Sequence, residues 1–152
     1  MTITLSPEPN GTDIILKTID TDGDGGNDPD VTVSGNLISG ITYNGSIELL
    51  DESNPNDVEN ITEEVQEESD EHQFFYTVGS GLDVTTSYKD EDGNGLPIGV
   101  EFTLVANATS SGDLTFTLRH EPNKSAAGVA SGDITNAGGE TDITETFSIS
   151  VE

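Results

Sequence analysis

Short segments in which apolar and polar residues alternate recur along almost the whole chain, and this period of two constrains the fold more than any other feature. In residues 113–120, DLTFTLRH, the apolar Leu114, Phe116 and Leu118 fall on one face and Thr115, Thr117 and Arg119 on the other. TDIILKTID (12–20), DVTVSG (30–35), QFFYTV (73–78), LDVTTSY (82–88), GVEFTLVA (99–106) and DITETFSISV (142–151) are further β-branched or aromatic runs between Gly, Asn and Pro turns. In ITYNGSIELLD (41–51), Ile41, Tyr43, Ile47 and Leu49 keep the alternation, and Gly45 is placed for a bulge or bend. The pattern predicts about eight or nine strands in an all-β, immunoglobulin-like two-sheet sandwich, with a β-barrel as the alternative. A length of 152 residues suits one core, so residues 12–152 are expected to form a single sandwich domain. Residues 1–11, with ITL followed by Pro7, Pro9, Asn10 and Gly11, read as an N-terminal strand or linker.

One stretch breaks the alternation. VENITEEVQEESDEH (58–72) is Glu-rich and sets Val58, Ile61, Val65 and His72 on a helical stripe, which predicts a short helix over about 58–72. Thr62 is the expected N-cap, with Glu63 and Glu64 at the positive end of the helix dipole.

Charge narrows the function. Thirty acidic residues against four basic ones give a net charge of -26, which repels phosphate backbones and excludes nucleic acid as a partner. The same charge opposes compaction unless salt screens it or bound cations neutralise it. With no cysteine, disulfides, thiolate metal sites and cysteine nucleophiles are all ruled out. No apolar run approaches the ~20 residues of a membrane span, so no insertion of this segment into a membrane is expected.

Two acidic loops are the expected cation sites. DEDGNGLPIGVE (90–101) has the spacing D-x-D-x-N-G-x₅-E, with Asp90, Asp92 and Asn94 as alternate oxygen ligands, the Leu96 carbonyl as another, and Glu101 in the bidentate position. Calcium suits this arrangement because it takes six to eight hard oxygens at ~2.3–2.6 Å. The flanks are strands, and Pro97 interrupts the loop backbone, so the segment is not a helix–loop–helix hand. DTDGDGGNDPD (20–30) opens in the same way with Asp20, Asp22 and Asp24, but Val31 stands where the bidentate carboxylate belongs, leaving Asp28 or Asp30 to substitute.

The two histidines suggest a second kind of site. His72 ends the helical stripe, His120 has the parity of Leu118, and both point toward the core edge, where they could meet. With Glu68 one turn before His72 and Glu121 beside His120, they form a His₂–carboxylate set of the kind that binds zinc or copper. The plainer reading is a pair of hydrogen-bonded histidines capping the core.

Five N-x-S/T acceptors, at Asn10, Asn44, Asn60, Asn107 and Asn123, lie on or beside expected turns, although Asn- and Thr-rich chains produce such triplets by chance. HEPNKSAAG (120–128) brings Ser125 near Lys124 and His120 but lacks a nucleophile elbow, and the chain is not expected to be an enzyme.

The DTDGDG and DEDGNG openings resemble the calcium loops of dockerins and thrombospondin type 3 repeats. NITEEVQEESDEHQFFY (60–76), LRHEPNKS (118–125) and NAGGETDI (136–143) resemble small lipoproteins of marine Bacteroidota, over most of residues 12–151. That resemblance implies an extracytoplasmic place, at the cell surface or secreted, with a lipidated cysteine upstream as anchor. A periplasmic-binding fold, sometimes attached to such proteins, is excluded here because the chain has neither the length nor the βαβ alternation for it. The function expected is therefore a calcium-stabilised extracytoplasmic binding module, accessory to nutrient or metal-ion uptake, with a protein or small ligand that the sequence does not name. The alternative is a structural subunit of a filament or adhesive layer, self-associating when the ITL strand adds to a neighbour's sheet.

Overall fold

The alternating segments pair edge to edge as antiparallel strands, because one face of each must be buried while its backbone N–H and C=O groups find partners. A computed structural model describes residues 1–21, 26–54 and 56–152. Its strands are β1 (Thr2–Pro7), β2 (Ile14–Ile19), β3 (Asp30–Val33), β4 (Thr42–Glu48), β5 (Leu50–Asp51), β6 (Glu59–Asn60), β7 (His72–Val78), β8 (Val84–Tyr88), β9 (Glu101–Ala106), β10 (Ser110–His120) and β11 (Glu140–Val151). Nine of these exceed two residues. A six-stranded sheet in the order β3-β2-β1-β4-β9-β8 faces a three-stranded sheet, β11-β10-β7, and β5 pairs with β6 in a small ribbon. The chain is thus an all-β two-sheet sandwich, as the alternation predicts.

The core lies between the sheets. Ile3, Leu5, Leu16, Tyr43, Phe102 and Leu104 come from the larger sheet, and Phe74, Leu114, Phe116, Phe147 and Val151 from the smaller, all almost fully buried. Phe116 is the hub, with ring centroids 5.6, 5.8 and 6.0 Å from those of Tyr76, Phe102 and Phe147. Residues 1–11 contain a true strand: β1 is paired with β2 on one side and β4 on the other, near the middle of the larger sheet. The ITL segment expected as a donor to a neighbour is therefore already paired along both edges within the chain.

Gly45 lies in regular pairing, opposite both Leu5 and Phe102, and is not a bulge. Its role is spatial, since any Cβ there would enter the Phe102 ring.

The helix α1 is shorter than its apolar stripe predicts, spanning only Ile61–Glu67. Asn60, not Thr62, is the N-cap: its Oδ1 accepts the Thr62 N–H at 3.1 Å, which frees Thr62 Oγ1 to accept the Leu49 N–H at 2.6 Å. Val65 is buried on α1, but Val58, expected on the same stripe, is exposed. The C-terminal end has no basic residue in its last turn and carries Glu67 and Glu68 against the negative end of the dipole. The following residues gain more by pairing with β10, so His72 begins a strand instead of ending a helix.

Residues 121–139 fold over the outer face of the smaller sheet. Two 3₁₀ turns, Val129–Ser131 and Ile134–Asn136, place Val129 and Ala137 against Phe75, which forms a second small core. The free edge of β11 is covered at Leu37, whose N–H donates to the Ser150 carbonyl at 2.8 Å and whose carbonyl accepts the Glu152 N–H at 2.8 Å. Such covered edges resist strand addition by other chains.

Gly45→Ala should destabilise the protein by about 1–3 kcal/mol, because the added methyl must displace Phe102. Gly35→Ala, where a Cβ meets nothing within 4 Å, should stay within about 0.5 kcal/mol of wild type in the same urea titration.

Candidate metal centre

The loop of residues 90–101 is closed by its own backbone. Asp90 Oδ1 accepts the Gly99 N–H at 2.7 Å, and its Oδ2 accepts those of Val100 and Glu101 at 2.9 and 3.0 Å. Asp92 Oδ1 accepts the N–H groups of Asn94 and Leu96 at 2.8 and 3.0 Å, and the Leu96 carbonyl accepts the Asp92 N–H at 2.8 Å. Asp92 Oδ2 faces Lys124 Nζ at 3.1 Å, with both side chains almost wholly buried. Glu101 opens β9, in register with Ser46, and is exposed. Asp90, Asp92, Asn94, Leu96 and Glu101 are thus joined by a turn network, and Asp90, Asp92 and Glu101 do not converge as a cluster of acidic ligand atoms. Burial pushes the Asp92 carboxyl up, but the Leu96 and Asn94 amides and the Lys124 ammonium together outweigh it, leaving it below the usual carboxylate range.

In the other acidic loop, Asp30 begins β3 opposite Ile19, and Asp20 and Asp28 are exposed. Asp22 and Asp24, also expected there as calcium ligands, lie outside the described residues.

Convergence of ligand atoms occurs instead at the rim of the smaller sheet. His72 opens β7 and His120 closes β10, and antiparallel pairing sets them opposite one another. Both have the parity of the core residues Phe74 and Leu118, so they continue the inner face to its open end. Their rings stack with centroids 4.9 Å apart and planes 6° from parallel. His72 Nδ1 lies 3.1 Å from the Glu68 carbonyl, which can only accept, so Nδ1 is the donor and Nε2 is the nitrogen left to act as a ligand. Asp142 Oδ2 stands 3.7 Å from that Nε2.

Asp142 reaches this position through a bulge. In β11, Ile143 pairs with Leu118 and Thr141 with Arg119, which leaves Asp142 as an extra residue without a register partner. Arg119 fixes the approach: its guanidinium donates to the carbonyls of Gly138 and Gly139 and to Thr141 Oγ1. A second carboxylate, Glu71 Oε2, lies 3.8 Å from His120 Nε2, and Glu121 adds a third ligand atom around His120. Glu121 is the one described non-glycine residue with positive φ, at 50°, and its N–H donates to the Glu71 carbonyl at 2.6 Å.

Of the expected transition-metal set, His72 and His120 come together and Glu121 lies in a cluster with His120, whereas Glu68 contributes its main-chain carbonyl and its carboxylate is outside both ligand clusters. The Glu68 carboxylate does not follow the helical i to i+4 direction toward His72 because α1 ends before it. Asp142 and Glu71 take the acidic positions. Glu71 was legible as a neighbour of His72, but Asp142 was not, since strict alternation from Phe147 puts it on the outer face.

Chemically, His72, His120 and Asp142 offer three nitrogen and oxygen ligand atoms within 4.8 Å of one another. Two ~2.0 Å bonds end to end span ~4.0 Å, and a tetrahedral edge is ~3.3 Å, so the 3.7 Å from His72 to Asp142 already admits one zinc or copper ion between them. Burial pushes the Tyr88 phenol up to about 12 and that of Tyr76 well above its usual value, so both stay neutral; they donate to the carbonyls of Phe74 and Gly99 and tie loop 89–100 to β7. Lys124, considered with Ser125 in a nucleophile grouping, is held away by Asp92 and the Ser69 carbonyl. Among the described residues, no helix is long and apolar enough to cross a membrane. Comparison with protein-family models, with curated proteins and with solved structures finds no match for this chain.

Asp92→Asn should cost about 3–5 kcal/mol near neutral pH by leaving the Lys124 charge buried without its partner. A carboxyl held low in the folded state stabilises above its unfolded value of ~3.9 and loses that contribution as pH falls through the folded value. The stability gap between wild type and Asp92→Asn, measured by urea midpoints, should be level from about pH 6 to 8 and close below about pH 4.

Proposed function

We propose that this chain is an acidic β-sandwich module that captures a divalent transition-metal ion, zinc or copper, through His72, His120 and Asp142 at the open end of its smaller sheet. The observation that carries the reading is the fixed ring of His72, with Nδ1 against the Glu68 carbonyl and Nε2 facing Asp142 at 3.7 Å. A histidine ligand whose second nitrogen donates to a carbonyl is the arrangement that metal sites use to set tautomer and ring orientation. His120 supplies the third ligand from the facing strand, and the 40% exposure of its side chain leaves an approach for the ion. The net charge of -26 would attract cations to the surface and raise their local concentration.

In this reading the module works outside the cytoplasm, at the cell surface or secreted, and delivers or retains metal ions for uptake. Calcium, expected from the sequence, is structural in this reading and is not the ion delivered.

Titration calorimetry with zinc at neutral pH should find one tight site in wild type. His72→Ala and Asp142→Ala should each weaken that site by at least about 100-fold, since loss of mere outer partners costs about 10–100-fold. Glu68→Ala should bind as wild type does. Zinc and copper binding no tighter than to scattered surface carboxylates, or unchanged affinity in His72→Ala, would overturn the reading.

A further inference from the structure

We propose that the loop of residues 90–101 is a calcium-type cation site whose resident cation is the ammonium group of Lys124. The loop has the full calcium spacing, with Gly95 at the left-handed φ of +75° where the chain turns sharply. In place of an ion, Lys124 Nζ lies 3.1 Å from Asp92 Oδ2 and donates also to the Ser69 carbonyl. Asp92 is only 7% exposed and Lys124 only 4%, in a chain with four basic residues, where chance pairing of an exposed lysine with one of many surface acids would look quite different. A buried carboxylate requires a positive partner or a shift to its neutral form. Here that partner is supplied by the chain itself, from the 121–139 segment.

The remaining ligand atoms are set for this occupant. Asp92 Oδ1 takes two loop amides, and both Asp90 oxygens take three more, so the loop keeps its turn without gathering six to eight oxygens around a divalent ion. A calcium ion at Asp92 Oδ2 would stand within a few ångströms of the ammonium, and like charges at that distance repel strongly in a buried setting. The loop therefore folds without calcium, and Lys124 also fastens the 121–139 segment to the residues that follow α1.

Lys124→Met, which keeps most of the side-chain bulk and removes the charge, tests this. In chelator its melting temperature should fall by roughly 6–20 °C. Millimolar calcium should recover part of that loss, and calorimetry should count one more calcium per chain than in wild type. The Asp92→Asn/Lys124→Met double variant should lose the additional calcium. A Lys124→Met protein that folds only with calcium gives the same support. One that binds no more calcium than wild type, and melts alike with calcium and chelator, overturns the proposal. If Lys124→Met folds in neither condition, NMR of the wild type decides: the amide signals of Asp92, Asn94 and Gly95 should not move with calcium up to 10 mM-scale concentrations (~10 mM, well above the range of sensor sites), and a saturable shift overturns it.

Discussion

The antiparallel register of β7, β10 and β11 is the constraint on which both the core and the rim site depend. The pairing that seats Phe116 opposite Tyr76 also sets Leu118 opposite Phe74 and His120 opposite His72. Because side chains alternate with a period of two, a slip of one residue would turn the buried face of a strand outward and the histidines with it. The core and the histidine pair thus depend on one alignment. The aromatic cluster makes that alignment the favourable one, since Phe102, Phe116 and Phe147 are each fully buried.

With so few basic residues, where each one goes matters. Arg119 holds the turn that delivers Asp142, and Lys124 holds Asp92 and the end of the helical excursion. Lys89 donates to Asn44 Oδ1 at 2.7 Å, which links the neighbourhood of the acidic loop to the central strand β4. Three of the four are therefore spent on the fold, and the surface is left overwhelmingly negative. Lys124 alone among them is buried, where its charge closes the Asp92 turn, and the external negative charge remains to attract cations from solution.

The strands were readable because alternation reports burial directly, and β10 contains the whole of the 113–120 run, extended at its start by Ser110–Gly112. Pairing of the histidines was readable in the same way, from parity alone. What alternation could not convey was any departure from itself. The bulge at Asp142 is a local insertion with no compositional mark, and it moves a carboxylate from the expected outer face to the histidine pair. The helix was overextended because a stripe of Val58, Ile61 and Val65 carries no information about β10, whose pairing with His72–Val78 competes for the same residues. The spacing of residues 90–101 marks a calcium-type loop, and in the structure its aspartates accept backbone N–H groups; what faces Asp92 is not in the spacing. Lys124 arrives from a segment 32 residues distant, and no local pattern announces it.

The most direct test of the metal centre is a crystal of the protein grown or soaked with zinc, with anomalous data collected on both sides of the zinc absorption edge. The account predicts a peak bonded to His72 Nε2, His120 and Asp142 at ~2.0–2.2 Å, with the Glu68 carbonyl still accepting from His72 Nδ1. Zinc confined to surface carboxylates elsewhere, with the two rings still stacked and no ion between His72 and Asp142, would contradict it.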